Sequence, residues 1–300
     1  MIATAKKCAM ASTTAPGVNR STIPARIDRL PWSSFHRRLI IALGVAWILA
    51  RSQPTHSRSI AGPLTEPATL GMTSTQAGAL ASVYLAGEVV GALFFGRLSD
   101  RLGRRRLFMI TLGVYLFGSG LSAFTLGTDT GWIIFLYATR FVAGTGIGGE
   151  YAAINSAIDE MIPARYRGRV DVGINGTYWA GAIIGTFASL FFLNVFAPSL
   201  GWRLGFLIGP LLAIVIIFVR RTLPESPRWQ LMHGQVEEAN ASIDQIEAEV
   251  RKDGYELSPV DDSMAIEMKP GDDHGYWTLL KLLFTTYPRR AVLGASLMIT

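Results

Sequence analysis

The chain has 300 residues, half of them hydrophobic and only 17% charged, with a formal net charge of +6. That balance is too apolar for an ordinary soluble domain and fits a multi-pass membrane protein. The arginines sit in short loops between apolar runs, which argues for a positive-inside bias and against a nucleic-acid surface. Cys8, the single cysteine, leaves no disulfide framework and no thiolate metal cluster.

In chain order, the first twenty residues lack an apolar core long enough for a signal peptide and read as a disordered basic tail. Residues 1–38 as a whole are expected on the cytoplasmic side, because Arg20, Arg26, Arg29, Arg37 and Arg38 favour it. Twelve apolar or small residues, Leu39 to Ala50, then open a membrane helix that Arg51, Gln53, Pro54, His56 and Arg58 interrupt. Five further runs, at about 75–95, 107–127, 131–155, 172–196 and 204–219, meet or approach the roughly 20 residues that cross a core of about 30 Å. Arginines at 97–106, 165–169 and 220–228 mark three cytoplasmic loops, and the nearly uncharged "LGTDTG" and "APSLGW" face outside. Parity then demands one more crossing between Arg38 and Thr75. From Arg38 to Arg51 a helix rises only about 19 Å, a central Arg costs roughly 2.5–3.5 kcal/mol, and Pro54 removes a donor. The first helix is therefore expected to be compromised. A short out-of-frame window over residues 50–59 explains this, the rival reading being a functional polar break. The coding sequence there separates the two.

Residues 39–222 thus form a six-helix bundle and residues 223–290 a cytoplasmic loop. In that loop Val236, Ala239, Ile243, Ile246 and Val250 recur at helical spacing, giving an amphipathic helix. An acidic, solvated linker follows to Asp273. A seventh run starts at Ala291 and meets the end of the sequence at Thr300, so residues 291–300 read as a truncated seventh helix. His36, His56, His233 and His274 all lie outside the convincing apolar runs, so no metal site is expected within the membrane. The sequence holds no H-E-x-x-H, G-x-S-x-G, Walker or Cys/His metal pattern. No catalytic residue and no cofactor is expected.

The most specific stretch is "GRLSDRLGRRR", Gly96 to Arg106. Gly96 and Gly103 suit a tight turn, and Asp100 can pair with Arg or with a helix N-terminus. Its order, G-x-L-x-D-R-x-G-R-R, resembles the signature of the major facilitator superfamily. "RFVAGTGIGGEY" places Arg140, Gly144 and Gly148 on one helical face, where small residues let helices approach closely; it resembles that family's R-x-x-x-G-x-G element. "LPESPRW", Leu223 to Trp229, is similar to the element after the sixth span in its sugar-porter and metabolite/proton-symporter branches. The resemblance covers about residues 35–300, apart from 50–59. It implies an all-α membrane protein: the six-helix N-terminal half of a twelve-helix fold, with a C-terminal half missing from this sequence.

The resemblance further implies alternating access around a small solute such as a sugar, an aromatic acid or another carboxylate, moved with protons across a bacterial inner membrane. Arg140, about 12 Å inside its helix, reads either as a structural ion pair or as a group for substrate or proton coupling. Glu88 admits the same two readings. Glu150 is assigned to the inner charge network. Asn175, Tyr178 and Trp179, at the start of the fifth helix, either line a cavity or anchor the interface. Asp100, Arg101, Arg104, Glu160, Arg167, Arg169, Glu225 and Arg228 are candidates for a cytoplasmic ion-pair gate, within a signature that also includes Gly96, Gly103 and Arg105. Relatives of this type carry an acid near the position of Ala50 that partners the fourth-helix Arg; its absence here weakens coupling through Arg140. The alternative function is a non-transporting fragment of a damaged or truncated transporter gene, at most a membrane-anchored half-bundle.

Overall fold

The computed structural model describes residues 19–59, 61–221, 224–268 and 275–299. The chain divides into two compact units, and residues 20–266 form the larger. Its helices are α1 (Ile23–Asp28), α2 (Ser34–Ser59), α3 (Ala61–Leu64), α4 (Ser74–Leu102), α5 (Arg104–Ala123), α6 (Thr130–Met161), α7 (Ala164–Val195), α8 (Pro198–Arg221), α9 (Pro227–Met232) and α10 (Val236–Lys252). The six long ones, α2 and α4 to α8, are the expected six-helix bundle. α4, α5 and α7 are each long and apolar enough to cross a membrane. α6 is as long but carries Arg140 and a row of glycines through its apolar stretch.

Most of the helices outrun the apolar segments that announce them. α4 begins in a capping box in which Thr73 Oγ1 accepts from the Gln76 N–H and the Gln76 side chain accepts from the Thr73 N–H. It then runs unbroken through Gly96, so the expected turn there contracts onto Gly103 alone, the residue with φ +86°. α7 begins at Ala164, eight residues before its apolar run, because the arginine-rich segment after Pro163 is itself helical. Asn175, Tyr178 and Trp179 therefore do not begin the helix: Asn175 lies eleven residues, about 16 Å, along it.

The first helix also departs from expectation. α2 is continuous over 26 residues, about 39 Å of rise, more than a bilayer core requires. Its backbone continues through Pro54, where the lost donor affects one hydrogen bond of a long ladder. The side chains of Arg51 to Arg58 lie outside the described residues, as do Cys8 and the first eighteen residues.

Packing divides the bundle into two groups. α6 lies between α4 and α5, and α2 lies along α7, with α8 touching α5, α2 and α7. Tyr84, Leu112, Tyr115, Ala143 and Ile147 make one buried cluster. Leu64, Leu70, Met72, Leu80, Leu136, Trp202 and Phe206 are among the residues of a second, beneath the α3–α4 turn. Close approach is set by glycine: the faces of Gly144 and Gly148 on α6 rest directly on the Tyr84 and Glu88 carbonyls of α4.

The basic segment before α2 carries α1. Ile23, Ile27 and Leu30 are buried, and Arg26 Nε and Arg29 Nη2 donate to Glu247 Oε1 of α10 at 2.8 and 2.6 Å. α10 is the expected amphipathic helix, burying Ala239, Ile243, Ile246 and Val250. Of the acidic linker, residues 269–274 lie outside the described residues. The smaller unit contains α11 (Tyr276–Thr286) and α12 (Pro288–Ile299). α11 stands where only loop was expected, and α12 starts three residues ahead of the predicted seventh run.

Candidate functional site

Two constellations carry charge within the bundle. The inner one centres on Arg140, ten residues into α6 and fully buried. Its Nε donates to Ser122 Oγ of α5 at 2.9 Å, and Ser122 Oγ lies 2.8 Å from Thr139 Oγ1. The guanidinium carbon sits 4.2 Å from the centre of the Phe206 ring of α8 and 5.8 Å from that of Tyr84 of α4. Ser119 Oγ donates to the Phe206 carbonyl at 3.3 Å, which holds that ring against α5. Nη1 and Nη2 of Arg140 are shut from solvent and have no hydrogen-bond partner among the described residues. Arg140 is thus held by one hydroxyl and two aromatic faces, and of its two readings the structural ion pair is not formed among those residues. An uncompensated buried cation costs several kcal/mol; cation–π contact at a desolvated site returns about 2 kcal/mol.

Glu88 is half-buried on α4, and its backbone rests on Gly144 and Gly148. Asn175 is exposed, and its Nδ2 donates to Asp171 Oδ1 and to the Asp171 carbonyl, both at 3.0 Å. Tyr178 and Trp179 meet edge-on at 5.0 Å, with Trp179 on the open face of α7. Neither Glu88 nor this trio joins the described contacts of Arg140.

The outer constellation lies where α4 meets α5. Gly103 has no side chain to obstruct Glu225, whose carboxylate accepts from the N–H groups of Arg104 (2.8 Å) and Arg105 (3.2 Å). A Cβ on Gly103 would stand 2.6 Å from Glu225 Oε2. The Arg104 side chain, 9% exposed, bridges three groups. Its Nε and Nη2 reach Glu160 at 3.1 and 2.5 Å, while Nη1 donates to Ser99 Oγ at 2.6 Å and to Asp100 Oδ1 at 3.2 Å. Beside it, Asp28 of α1 accepts from the Ala164 N–H (3.1 Å) and pairs with Arg228 (3.4 Å) and Arg167 (3.7 Å). Trp229 Nε1 donates to the Asp100 carbonyl at 2.8 Å.

The structure therefore brings together Gly103, Asp100, Arg104, Arg105, Glu160 and Glu225, with Arg167 and Arg228 gathered on Asp28. Arg101 is exposed. Glu150 is buried ten residues short of Glu160, about 15 Å back along α6 from the Arg104 contacts. One assignment is corrected. Arg169, two residues past Arg167, points elsewhere on α7 because two helical residues lie about 200° apart; it is exposed and makes no ion pair or hydrogen bond with the described residues. Sequence reasoning missed Ser122, Tyr84 and Phe206 around Arg140, and Asp28 in the outer cluster. Among the described residues no group of His, Cys, Asp and Glu is arranged to hold a metal ion.

Comparison with known proteins fits this architecture. A family model described as "Sugar (and other) transporter" matches residues 40–300. The niacin transporter NiaP of Acinetobacter baylyi is 31% identical over 223 residues, 74% of this chain and 48% of the relative. The putative metabolite transport protein YyaJ of Bacillus subtilis is 32% identical over 257 residues, 85% of this chain and 54% of the relative. This chain spans about half the length of both. Among solved structures, the xylose transporter XylE from E. coli in a partially occluded inward-open conformation has the same fold. It aligns with a TM-score of 0.65 at 19% identity, over 74% of this chain and 59% of that one. The six-helix arrangement, the signature turn at Gly103 and the family match lead to one conclusion: the chain belongs to the sugar (and other) transporter family of the major facilitator superfamily, integral membrane transporters rather than enzymes.

Proposed function

We propose that the chain forms the solute-binding N-terminal half of a proton-coupled symporter for a small organic carboxylate. It would work by alternating access against a second half. Arg140 carries this reading: a buried guanidinium with two unsatisfied terminal nitrogens, flanked by the Phe206 and Tyr84 rings. A carboxylate would satisfy both nitrogens bidentately, and the rings would favour a flat apolar body beside it. The names of relatives agree, since niacin and sialic acid are both carboxylic acids, although another relative is a glucose transporter.

In this reading Glu88, Asn175, Tyr178 and Trp179 line the solute route, and Glu88 is the proton carrier. The Arg104–Glu160–Asp100–Glu225 cluster is the gate at the cytoplasmic end, with α1, α9 and α10 on the same side of a bacterial inner membrane. Residues 39–222 form the membrane bundle and residues 223–290 the loop toward the second half.

Binding of radiolabelled nicotinate, sialate and glucose to the purified chain tests the solute class. The carboxylates should bind and glucose should not, and Arg140→Gln should weaken carboxylate binding at least tenfold while Arg140→Lys retains part of it. Equal binding of glucose, or an unaffected Arg140→Gln variant, would refute the assignment. Proton-driven uptake into vesicles, with this half completed by its partner, tests coupling.

A further inference from the structure

Arg169 belongs to the arginine-rich loops, the site leaves it unused, and it has no partner among the described residues. It lies on the wall of a cavity of about 380 Å³ along the seam of α2 and α7, lined by Trp32, Ile40, Tyr166, Val170 and Gly173 besides itself. The lining combines the Trp32 and Tyr166 rings with the Arg169 cation, and further rings and cations adjoin it. Trp32 and Tyr166 meet edge-on at 5.2 Å, and Trp32 stacks on His36 at 5.5 Å. The Arg165 guanidinium lies 4.8 Å from the Tyr166 ring centre, fixed by a 2.7 Å hydrogen bond to the Leu30 carbonyl. Ile40 and Val170 add apolar surface to the lining, which is open over Gly173, where an added Cβ would meet no atom within 4 Å. Asp171, the nearest acid in sequence, is engaged with Asn175 on the other side of α7.

We propose that this seam is a binding site for an anionic phospholipid, with the headgroup phosphate on Arg169 and Arg165 and an acyl chain lying over Ile40, Val170 and Gly173. Each part of the cavity matches a part of that molecule. Trp and Tyr concentrate at the headgroup level of membranes, and basic pockets between membrane helices take anionic headgroups. Bidentate geometry makes arginine the better partner for phosphate. The cavity begins within the first turns of α7, near the charged end of the bundle, so the phosphate and the chain would each lie at a depth they already occupy in a bilayer. It also lies about 160° around α7 from Asn175, away from the proposed solute route, and it stands whether or not that route is correct.

Native mass spectrometry of the full chain in detergent, titrated with phosphatidylglycerol or with phosphatidylcholine of the same acyl composition, tests the site. The wild type should retain phosphatidylglycerol in preference to phosphatidylcholine. Arg169→Gln should lower phosphatidylglycerol occupancy about fivefold, the value of one arginine near an anionic headgroup, and leave phosphatidylcholine unchanged. Gly173→Leu, whose Cβ would meet no atom within 4 Å, should lower the occupancy of both lipids while leaving the helical circular dichroism intact. The two variants act on different groups, so a folding failure of either leaves the other decisive. Equal retention of the two lipids, an Arg169→Gln variant that binds as wild type, or displacement by inorganic phosphate at matched concentration would overturn the proposal. So would variants that shift the chain from dimer to monomer without changing its lipid count, because a second copy would then be the occupant.

Discussion

Gly146 offers a severe test of how the bundle is held together. It sits on α6 against α5, and a Cβ placed there would lie 2.6 Å from both the Thr111 carbonyl oxygen and the Tyr115 amide nitrogen, and 2.9 Å from Tyr115 Cα. All three are backbone atoms, so no rotamer change relieves them. Ordinary carbon contacts start near 3.5 Å, and Gly146→Ala therefore forces the two helices apart by roughly 0.5–1 Å. A gap of that size forfeits a quarter to a half of each neighbouring dispersion contact, and overpacking costs about 1–3 kcal/mol. Alanine recovers at most about 1 kcal/mol of helix propensity. The net is a loss of up to about 2 kcal/mol, or roughly 4–8 °C in melting temperature for a unit of this size. Gly113, on α5, is the control: nothing lies within 4 Å of the point where an alanine methyl would stand, so Gly113→Ala should melt at or slightly above the wild type. Thermal unfolding of both variants in one detergent, followed by circular dichroism, makes the comparison. If Gly146→Ala melts as high as the wild type, or Gly113→Ala falls as far, the helix contact is not what sets the stability.

Two further predictions concern the ion pairs that α10 and the α4–α5 turn make. Burial alone would raise the Glu247 carboxyl, but hydrogen bonds and fields from Arg26 and Arg29 outweigh it and hold its pKa below the ordinary 4.5. The attachment of α1 to α10 should then be at full strength above pH 4.5 and weaken as acid titrates Glu247 below it; hydrogen exchange of residues 23–28 should rise in that window, and Glu247→Gln should remove the pH dependence. Glu160→Gln, which removes the charged partner of the mostly buried Arg104, should cost about 1.5–3 kcal/mol, read as a fall in denaturant midpoint, whereas Arg101→Gln on the exposed side of the same turn should change it by less than about 0.5 kcal/mol.

The sequence was most legible where one residue type answers one local need. Gly103 is an example: the chain must reverse between two helices, and only there does φ become positive within the signature. Asp100 and Arg104 are four residues apart, and their pairing follows from that spacing even though a glycine separates the helices. Partners from distant segments were not legible. Ser122 and Phe206 reach Arg140 across 18 and 66 positions, and each is one hydroxyl or one ring among many in apolar runs of equal appearance. Glu225, which reaches the start of α5 across 121 positions, was named for the gate through its motif and not through spacing. The assignment of Arg169 failed for a simpler reason, since charge was counted by loop and not by helical position. Two residues turn Arg169 away from the Arg167 cluster.

α6 joins what these separate contacts do. It carries Arg140 near one end of its apolar stretch and Glu160 at its charged end, about 30 Å apart, on a single helix with no proline and no break. Between them Gly144 and Gly148 seat on α4 and Gly146 on α5, each against backbone. Side chains can hop rotamers to absorb a small shift, but backbone against backbone cannot, so the interface has discrete seats and not a continuous slide. A displacement of α6 that reshaped the Phe206–Tyr84 surroundings of Arg140 would have to lift these glycines from their seats or take α4 and α5 along. Taking α4 and α5 along would bear on the Gly103 turn that joins them, where Glu225 caps the start of α5 and Arg104 holds Glu160. The inner arginine and the outer ion pairs are thus linked through the rigidity of one glycine-seated helix, with no chain of polar contacts needed between them.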